Sequence, residues 1–132
     1  MSCPYTSPQN GKAERIICTI NDTIRSLLFQ ADVPPYWVEA LNTATRLLNI
    51  LPTKTPHFPT PHYVLFGVAP AYTHLPVFGC KCYPNLSSTT PHKLAPRSTL
   101  CVFLGYSDHH KGYRCLDIHS NKIIISRHVV FD

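Results

Sequence analysis

The sequence predicts an α+β fold in which two helices are joined by a proline-rich linker to a small five-stranded β-barrel. Three observations lead to this prediction. Apolar residues recur at helical spacing before Pro52, six of the thirteen prolines lie from Pro52 to Pro76, and short β-branched and aromatic runs follow. The predicted segments are the helices in residues 1–51, the linker in 52–75 and the barrel in 76–132.

Two amphipathic helices account for the first segment. Ser7 followed by Pro8 is a favourable cap and first helical position, so the first helix is predicted over about residues 8–31. The second helix begins near Trp37, which we expect to anchor its packing, and Pro52 ends it. Its apolar stripe is formed by Trp37, Leu41, Ala44, Leu48 and Leu51. Two helices cover only part of each other's apolar faces, so we expect that a sheet which should bury them is missing.

Five short strands are predicted after the linker, where the apolar pattern changes to β-branched and aromatic runs. These runs cover residues 77–83, 100–106, 113–118, 122–126 and 128–131. Gly112 and the triplet at 119–121 supply turns between them. Strands joined mainly by tight turns favour a small barrel or curled sheet, and an open meander that needs a partner is the alternative.

Composition restricts the classes of partner and site. Twelve Lys and Arg against seven Asp and Glu give a net charge of +5, which favours a polyanionic partner. The six cysteines and eight histidines lack zinc-site spacing, so we expect reduced thiols in an intracellular protein that is not secreted. Cys80 and Cys82 alternate along one strand and are predicted to point to one face. No apolar run approaches the roughly 20 residues of a membrane span, so no membrane partner is expected.

Five ordered segments carry a resemblance to a known family. They read SPQNGKAER, YWVEALNTATRLLNILPTKTP, FGC, KLAPRSTLCVFLGY and GYRCLD, and they extend over almost the whole chain. The series resembles the integrase region of copia-type LTR retrotransposon polyproteins. This resemblance implies that the two helices are a remnant of an RNase H-like catalytic core and that the β-rich segment is the SH3-like domain that follows the core. It also implies a truncated protein whose family acts in the nucleus after assembly in the cytoplasm.

Glu14 is the residue to which the resemblance assigns catalysis. It matches the third carboxylate of the family's Asp, Asp, Glu triad, which uses Mg²⁺ or Mn²⁺ for strand transfer. Divalent ions prefer several hard oxygen ligands, and we expect the two partner aspartates upstream of residue 1. Glu14 is therefore predicted to be an incomplete metal site, inactive and without a bound metal in this chain. The alternative, which we favour for the isolated chain, is a first-turn glutamate stabilised by the helix dipole.

Eight residues are predicted to contact DNA, three beside Glu14 and five in the barrel segment. They are Asn10, Lys12, Arg15, Lys81, Lys93, Arg97, Lys111 and Arg114. The barrel residues alternate with aromatic side chains, as in small barrels that bind nucleic acid. These aromatics are Tyr83, Phe103, Tyr106 and Tyr113. The alternative is that the aromatics form the core and the basic residues are solvated.

Three functions remain open from the sequence. The first is a truncated integrase fragment, ancestrally active in DNA integration but not catalytic alone. The second is a non-catalytic module that binds nucleic acid or protein through the SH3-like segment. The third is an unstable product of a decayed gene. Self-association through exposed helix faces is a further expectation, because an uncovered apolar face favours association.

Overall fold

The computed structural model describes residues 10–34, 36–54 and 60–132, and it confirms the α+β class. In chain order the elements are α1 (Gly11–Ala31), α2 (Trp37–Ile50), α3 (Pro61–Phe66), β1 (Lys81–Pro84), β2 (Cys101–Tyr106), β3 (Tyr113–Asp117), β4 (Ile123–Ser126) and β5 (Val129–Phe131). All five predicted strands are present. The predicted helix start at Ser7 and Pro8 lies outside the described residues. Within the described part of the chain, no helix is long and apolar enough to cross a membrane.

Helix α1 is amphipathic but only partly covered. Near its C-terminal end, Ile24, Leu27 and Leu28 pack half-buried against the core. Asp32 ends the helix in the left-handed conformation, with φ 48°. In contrast, Ile16 lies exposed nearer the start of the helix. Self-association through this exposed surface stays a prediction.

Helix α3 lies inside the segment predicted to be a linker. Thr60 caps the helix, because its Oγ1 accepts a hydrogen bond of 3.0 Å from the backbone N–H of Tyr63. Pro61 occupies the first turn, where its missing N–H costs nothing, and Gly67 ends the helix with φ 68°. The proline-rich segment thus contains a short helix that the sequence analysis did not predict, and Pro61 suits its first turn. The boundaries of the three predicted segments stay a prediction.

The five strands form one antiparallel sheet in the order β4-β3-β2-β1-β5. Strands β4 and β5 lie at its two edges, so ladder hydrogen bonds do not close it into a complete barrel. The sheet nevertheless curls. The rings of Tyr113 on β3 and Phe131 on β5 lie 5.1 Å apart, although β2 and β1 separate these strands in the sheet order. An open, curled form of the predicted barrel results.

Strand β2 is buried on both faces and separates two apolar clusters. Phe103 lies inside the curl with three buried thiols, and Leu104 lies in the cluster that receives α1 and α2. A bulge between Phe103 and Gly105 shifts the pairing register with β3. The outer face of the sheet thus covers part of the helices. Our expectation that their covering sheet is missing was wrong for the second half of α1 and for α2.

The buried side of α2 differs from the predicted stripe. Ala40, Thr43 and Ala44 are buried, whereas Trp37 is 60% exposed and does not anchor the helix. Small residues on α2 allow a close approach to β2. Gly105, with φ +117°, faces them so closely that a Cβ there would lie 2.7 Å from Thr43 Oγ1. The predicted stripe was right for Ala44 and wrong for Trp37, because the close approach of α2 to β2 favours small side chains there.

The five described cysteines are free, as expected. Cys80 and Cys82 both belong to the inner cluster, which confirms that they share one side of the sheet. Burial raises the pKa of the Cys101 thiol to about 12. The pKa of the Cys82 thiol is raised chiefly by a hydrogen bond with Cys115 and also by burial. These thiols stay protonated at neutral pH and serve as small apolar side chains.

The turn between β3 and β4 is fixed by Asp117. Its carboxylate accepts hydrogen bonds from Ser120 Oγ at 2.8 Å and from the backbone N–H of His119 at 2.9 Å. These bonds lower the pKa of the Asp117 carboxyl group. Asn121 follows with φ 55°, and its Oδ1 accepts a hydrogen bond of 3.2 Å from the Tyr36 hydroxyl before α2. The predicted turn is present and also contacts the helical segment.

Gly79 tests the contact between α1 and the sheet. Its φ is +83°, and a Cβ there would overlap Cβ of Ala31 at the end of α1. We expect Gly79→Ala to lower the free energy of unfolding by about 2–5 kcal/mol, because backbone strain and overpacking add. Chemical denaturation, with circular dichroism as the readout, measures this loss of stability.

Gly67→Ala is the matched control for Gly79→Ala. Gly67 has φ +68°, but a Cβ there meets no atom within 4 Å. The control should cost only about 1–2 kcal/mol, from backbone strain alone. Equal losses for the two variants would contradict the close packing of α1 against residue 79.

Candidate functional site

A basic groove lies at one end of the curled sheet. It consists of two adjoining cavities of about 600 and 570 Å³, which share Tyr113 and Arg127 in their linings. The first cavity lies between α2 and the loop that joins β2 to β3, and the second lies along β1 and the start of β5. The basic residues of the two linings are Arg46, Arg97, Lys111 and Arg127, and the acidic residue is Asp108. The groove therefore carries a net positive charge.

Arg46 reaches the groove from α2. The central carbon of its guanidinium lies 4.0 Å from the centroid of the Tyr106 ring, which is cation–π geometry. Burial raises the pKa of the Tyr106 hydroxyl, although the Arg46 charge opposes this effect. Tyr106 is thus neutral at physiological pH, and its ring contacts the cationic head of Arg46 in the lining of the first cavity.

The aromatic residues of the groove rest on the inner cluster. The rings of Tyr106 and Tyr113 lie 5.6 Å apart, and both pack edge-on against Phe103, at 5.5 and 6.0 Å. Phe103 is fully buried, so for this residue the alternative of a core aromatic is correct. Tyr83 lines the second cavity and is 37% exposed. The groove therefore contains two packed aromatic rings, Tyr106 and Tyr113, and a third ring, Tyr83, that is more exposed.

The loop from Ser107 to Gly112 closes one side of the first cavity. The backbone N–H of Ser107 donates a hydrogen bond of 3.0 Å to the carbonyl of Gly112. This bond joins the two ends of the loop, so the intervening residues project from the end of the sheet. These exposed residues are Asp108, His109, His110 and Lys111. Lys111 is thereby brought to the same cavity as Arg46.

The predicted DNA contacts fall into separate groups. Arg97 and Lys111 line the groove. Lys81 and Lys93 are exposed on β1 and on the loop between β1 and β2, outside both linings. The helix residues Asn10, Lys12 and Arg15 are exposed at the start of α1 and do not line the groove either. For all of these residues, contact with DNA stays a prediction.

Arg114 has an internal role that the sequence did not reveal. Its Nη2 lies 3.1 Å from Glu39 Oε1, and the two side chains are only 30% and 12% exposed. The ion pair joins β3 to α2, so the guanidinium is directed at the helix. Arg114 does not line the groove, and its predicted contact with DNA stays a prediction.

Glu14 lies exposed in the first turn of α1, the position that the helix dipole favours for a carboxylate. The described residues contain no group of three or more His, Cys, Asp or Glu side chains placed to hold a metal ion. Glu14 and its described surroundings thus do not fit the Mg²⁺ or Mn²⁺ site of the resembled family, which needs several oxygen ligands. The catalytic assignment of Glu14 stays a prediction from the resemblance.

Two basic residues of the groove were missed from the sequence. Arg46 lies in a helix whose apolar pattern dominated the interpretation, and Arg127 lies in the short connection between β4 and β5. Neither position, within a helix or between two strands, gives a local motif. Only the basic composition of the chain pointed to such residues.

Comparison with known proteins shows what this chain is similar to. Residues 80–132 match the family described as the retroviral polymerase SH3-like domain. The chain is 44% identical over 132 residues to the retrovirus-related Pol polyprotein from transposon RE1 of Arabidopsis thaliana, with 99% of this chain and 9% of that protein covered. The chain is a relative of the copia-type retrotransposon Pol polyproteins. The predicted resemblance is confirmed at this level.

Further relatives agree with this relationship. The Pol polyprotein from transposon TNT 1-94 of Nicotiana tabacum is 40% identical over 129 residues, which cover 97% of this chain and 10% of that protein. An uncharacterized mitochondrial protein of Arabidopsis thaliana is 33% identical over 81 residues, 61% of this chain and 65% of that protein. This Pol-related chain spans about a tenth of the polyproteins it matches. No solved structure matches it significantly.

The ion pair between Glu39 and Arg114 gives a test of how helix and sheet are joined in this Pol-related chain. Glu39→Ala leaves the half-buried guanidinium of Arg114 without its carboxylate partner. We expect the free energy of unfolding to fall by about 1–3 kcal/mol, because a buried charged donor loses its hydrogen bond. Denaturant midpoints measure the effect.

Asp22→Ala is the control, since Asp22 pairs with Arg25 at 3.6 Å while the two side chains stay 75% and 80% exposed. The control should change stability by less than about 1 kcal/mol. A Glu39→Ala effect no larger than that of Asp22→Ala would show that the internal pair does not hold α2 to β3.

Proposed function

We propose that the chain is part of the integrase region of a copia-type Pol polyprotein and that it contacts nucleic acid through the basic groove without supplying a catalytic centre of its own. The observation that carries this proposal is the set of cations that line one groove. Arg46, Arg97, Lys111 and Arg127 are opposed there by the single carboxylate of Asp108.

The chemistry of the groove suits a phosphate backbone. Arginine guanidinium groups bind phosphate oxygens through paired donors, and neutralising phosphates releases condensed counterions. Arg46 is already held on the Tyr106 ring, so less side-chain freedom is lost when it binds. The net charge of +5 adds long-range attraction for any polyanion. We therefore propose DNA as the partner, and action in the nucleus or cytoplasm.

The non-catalytic role rests on the ligand requirement of the chemistry. Phosphodiester transfer with divalent ions needs several oxygen ligands around the reacting phosphate. Of the described residues, Glu14 alone is assigned to that task by the resemblance, and it lies on an exposed part of α1. The whole polyprotein spans about ten times the length of this chain. We propose that this fragment supports binding, whereas integration belongs to the intact protein.

Salt-dependent DNA binding tests the proposed function. A fluorescently labelled 20-base-pair duplex is titrated with the chain at 50, 100 and 200 mM salt, and fluorescence anisotropy gives Kd. We expect Kd to rise steeply with salt, because each neutralised phosphate contributes about −0.9 to the slope of log affinity against log salt. The double variant Arg46→Ala/Arg127→Ala should weaken binding and reduce the slope by about 1–2.

A charge-matched control uses Arg25→Ala/Lys54→Ala, which removes two exposed cations outside the groove. This control should keep the affinity and slope of the unchanged chain to within about twofold. Flat titrations at 50 mM salt, or equal losses in the two double variants, would contradict nucleic-acid binding through the groove.

Strand transfer tests the non-catalytic part of the proposal. The chain is mixed with Mg²⁺ or Mn²⁺, a duplex with the sequence of a retrotransposon end, and a plasmid target. We expect no joined product on a sequencing gel, because one carboxylate cannot hold the ions that the reaction uses. Joining that is lost in Glu14→Gln would overturn the non-catalytic assignment.

A further inference from the structure

We propose that the basic groove receives a single strand of nucleic acid in preference to a duplex. This inference rests on the proposed function and adds the class of nucleic acid to it. Single-stranded DNA and single-stranded RNA share the chemistry that the groove would recognise, namely a charged backbone with exposed base faces.

Aromatic rings inside the groove favour single strands. Tyr83, Tyr106 and Tyr113 line its two cavities. In a duplex the base faces are stacked on one another, so rings recessed in a protein groove meet only phosphate and sugar. In a single strand each base can lie against a ring, and one such contact contributes about 1–3 kcal/mol. Rings at this position would add nothing to the binding of an intact duplex.

Tyr83 is the ring best placed for stacking. One face of Tyr106 carries the Arg46 guanidinium, and Tyr113 is packed against Phe103 and Phe131. Tyr83 projects from β1 on the exposed side of the strand, since its neighbours Cys82 and Pro84 are buried. It shares the second cavity with Arg97 and Arg127. A base on Tyr83 would thus have cations near it for the flanking phosphates.

The cations are distributed along the groove. Arg46 and Lys111 line the first cavity, Arg97 lines the second, and Arg127 is common to both. A flexible backbone can follow such a path through two adjoining cavities, whereas a stiff duplex meets only its rim. Each cavity has the volume of a typical small-ligand site, about 300–1,000 Å³. The path extends beyond the SH3-like match at 80–132, because α2 supplies Arg46.

The inference is tested with three labelled probes of one mixed sequence. They are a 12-nucleotide DNA strand, the RNA strand and the DNA duplex, each titrated at 50 mM salt with anisotropy as the readout. We expect at least one single strand to bind about fivefold more tightly than the duplex. A tighter complex with DNA or with RNA identifies the source of the strand, and either result supports the proposal.

Tyr83→Leu separates stacking from charge. It should weaken single-strand binding by about 5- to 150-fold, the range of one base contact, and leave duplex binding unchanged. Tyr83→Phe keeps the ring and should keep the affinity. Tyr63→Leu, on the exposed surface of α3, is the matched control. If Tyr83→Leu does not fold, Tyr83→Trp replaces it, with indole fluorescence quenched by the single strand and not by the duplex.

The outcomes distinguish this inference from the proposed function. Equal, salt-dependent affinity for strand and duplex overturns the single-strand preference and leaves nucleic-acid binding intact. Duplex binding that Tyr83→Leu weakens as much as strand binding also overturns it. Absence of binding to all three probes overturns the inference and the proposed function together.

Discussion

The two-sided burial of β2 is the constraint on which the rest of the structure depends. Phe103 fills the inside of the curled sheet, and the next residue, Leu104, fills the interface with the helices. Burying a large apolar side chain contributes about 1.5–3 kcal/mol, so this strand stabilises both layers at once. The bulge lies between Phe103 and Gly105, where the buried side chains of the strand change from the inner cluster to the helix interface. Phe103 also positions two aromatic side chains of the groove, because Tyr106 and Tyr113 both pack against it.

Small residues and an internal ion pair add to the apolar contacts between α2 and the sheet. Gly105 admits Thr43 of α2, and Glu39 pairs with Arg114 across the same interface. These contacts fix the direction in which α2 presents Arg46. The position of a guanidinium in the groove is thus determined by packing that lies outside the groove. The pairing with Tyr106 completes this arrangement.

The sequence predicted the strands well because their signals are local. Alternating β-branched and aromatic runs, and turns at Gly112 and at residues 119–121, place the β-rich elements within a few residues of their observed bounds. The helix faces were harder, since Ala40 and Thr43, which were not predicted, are buried while Trp37 is exposed. Burial there depends on which surface the sheet offers, and residues of that surface such as Leu104 come much later in the chain. Arg97 and Lys111 were predicted as binding residues because basic and aromatic residues alternate in the barrel segment. Arg46 and Arg127 were not predicted, because only the fold brings them to the groove.

Leu104 and Leu116 on the outer face of the sheet have an evolutionary consequence. A rearranged gene that keeps only the SH3-like match at 80–132 loses α1 and α2, and it exposes these two side chains to water. Such a fragment loses the packing of the helices against the sheet, and it also loses Arg46 from the lining of the groove. The folded state of the sheet and the packing of the helices are therefore coupled through Leu104 and Leu116. The family match begins at residue 80, whereas the helices that cover Leu104 and Leu116 come earlier in the chain.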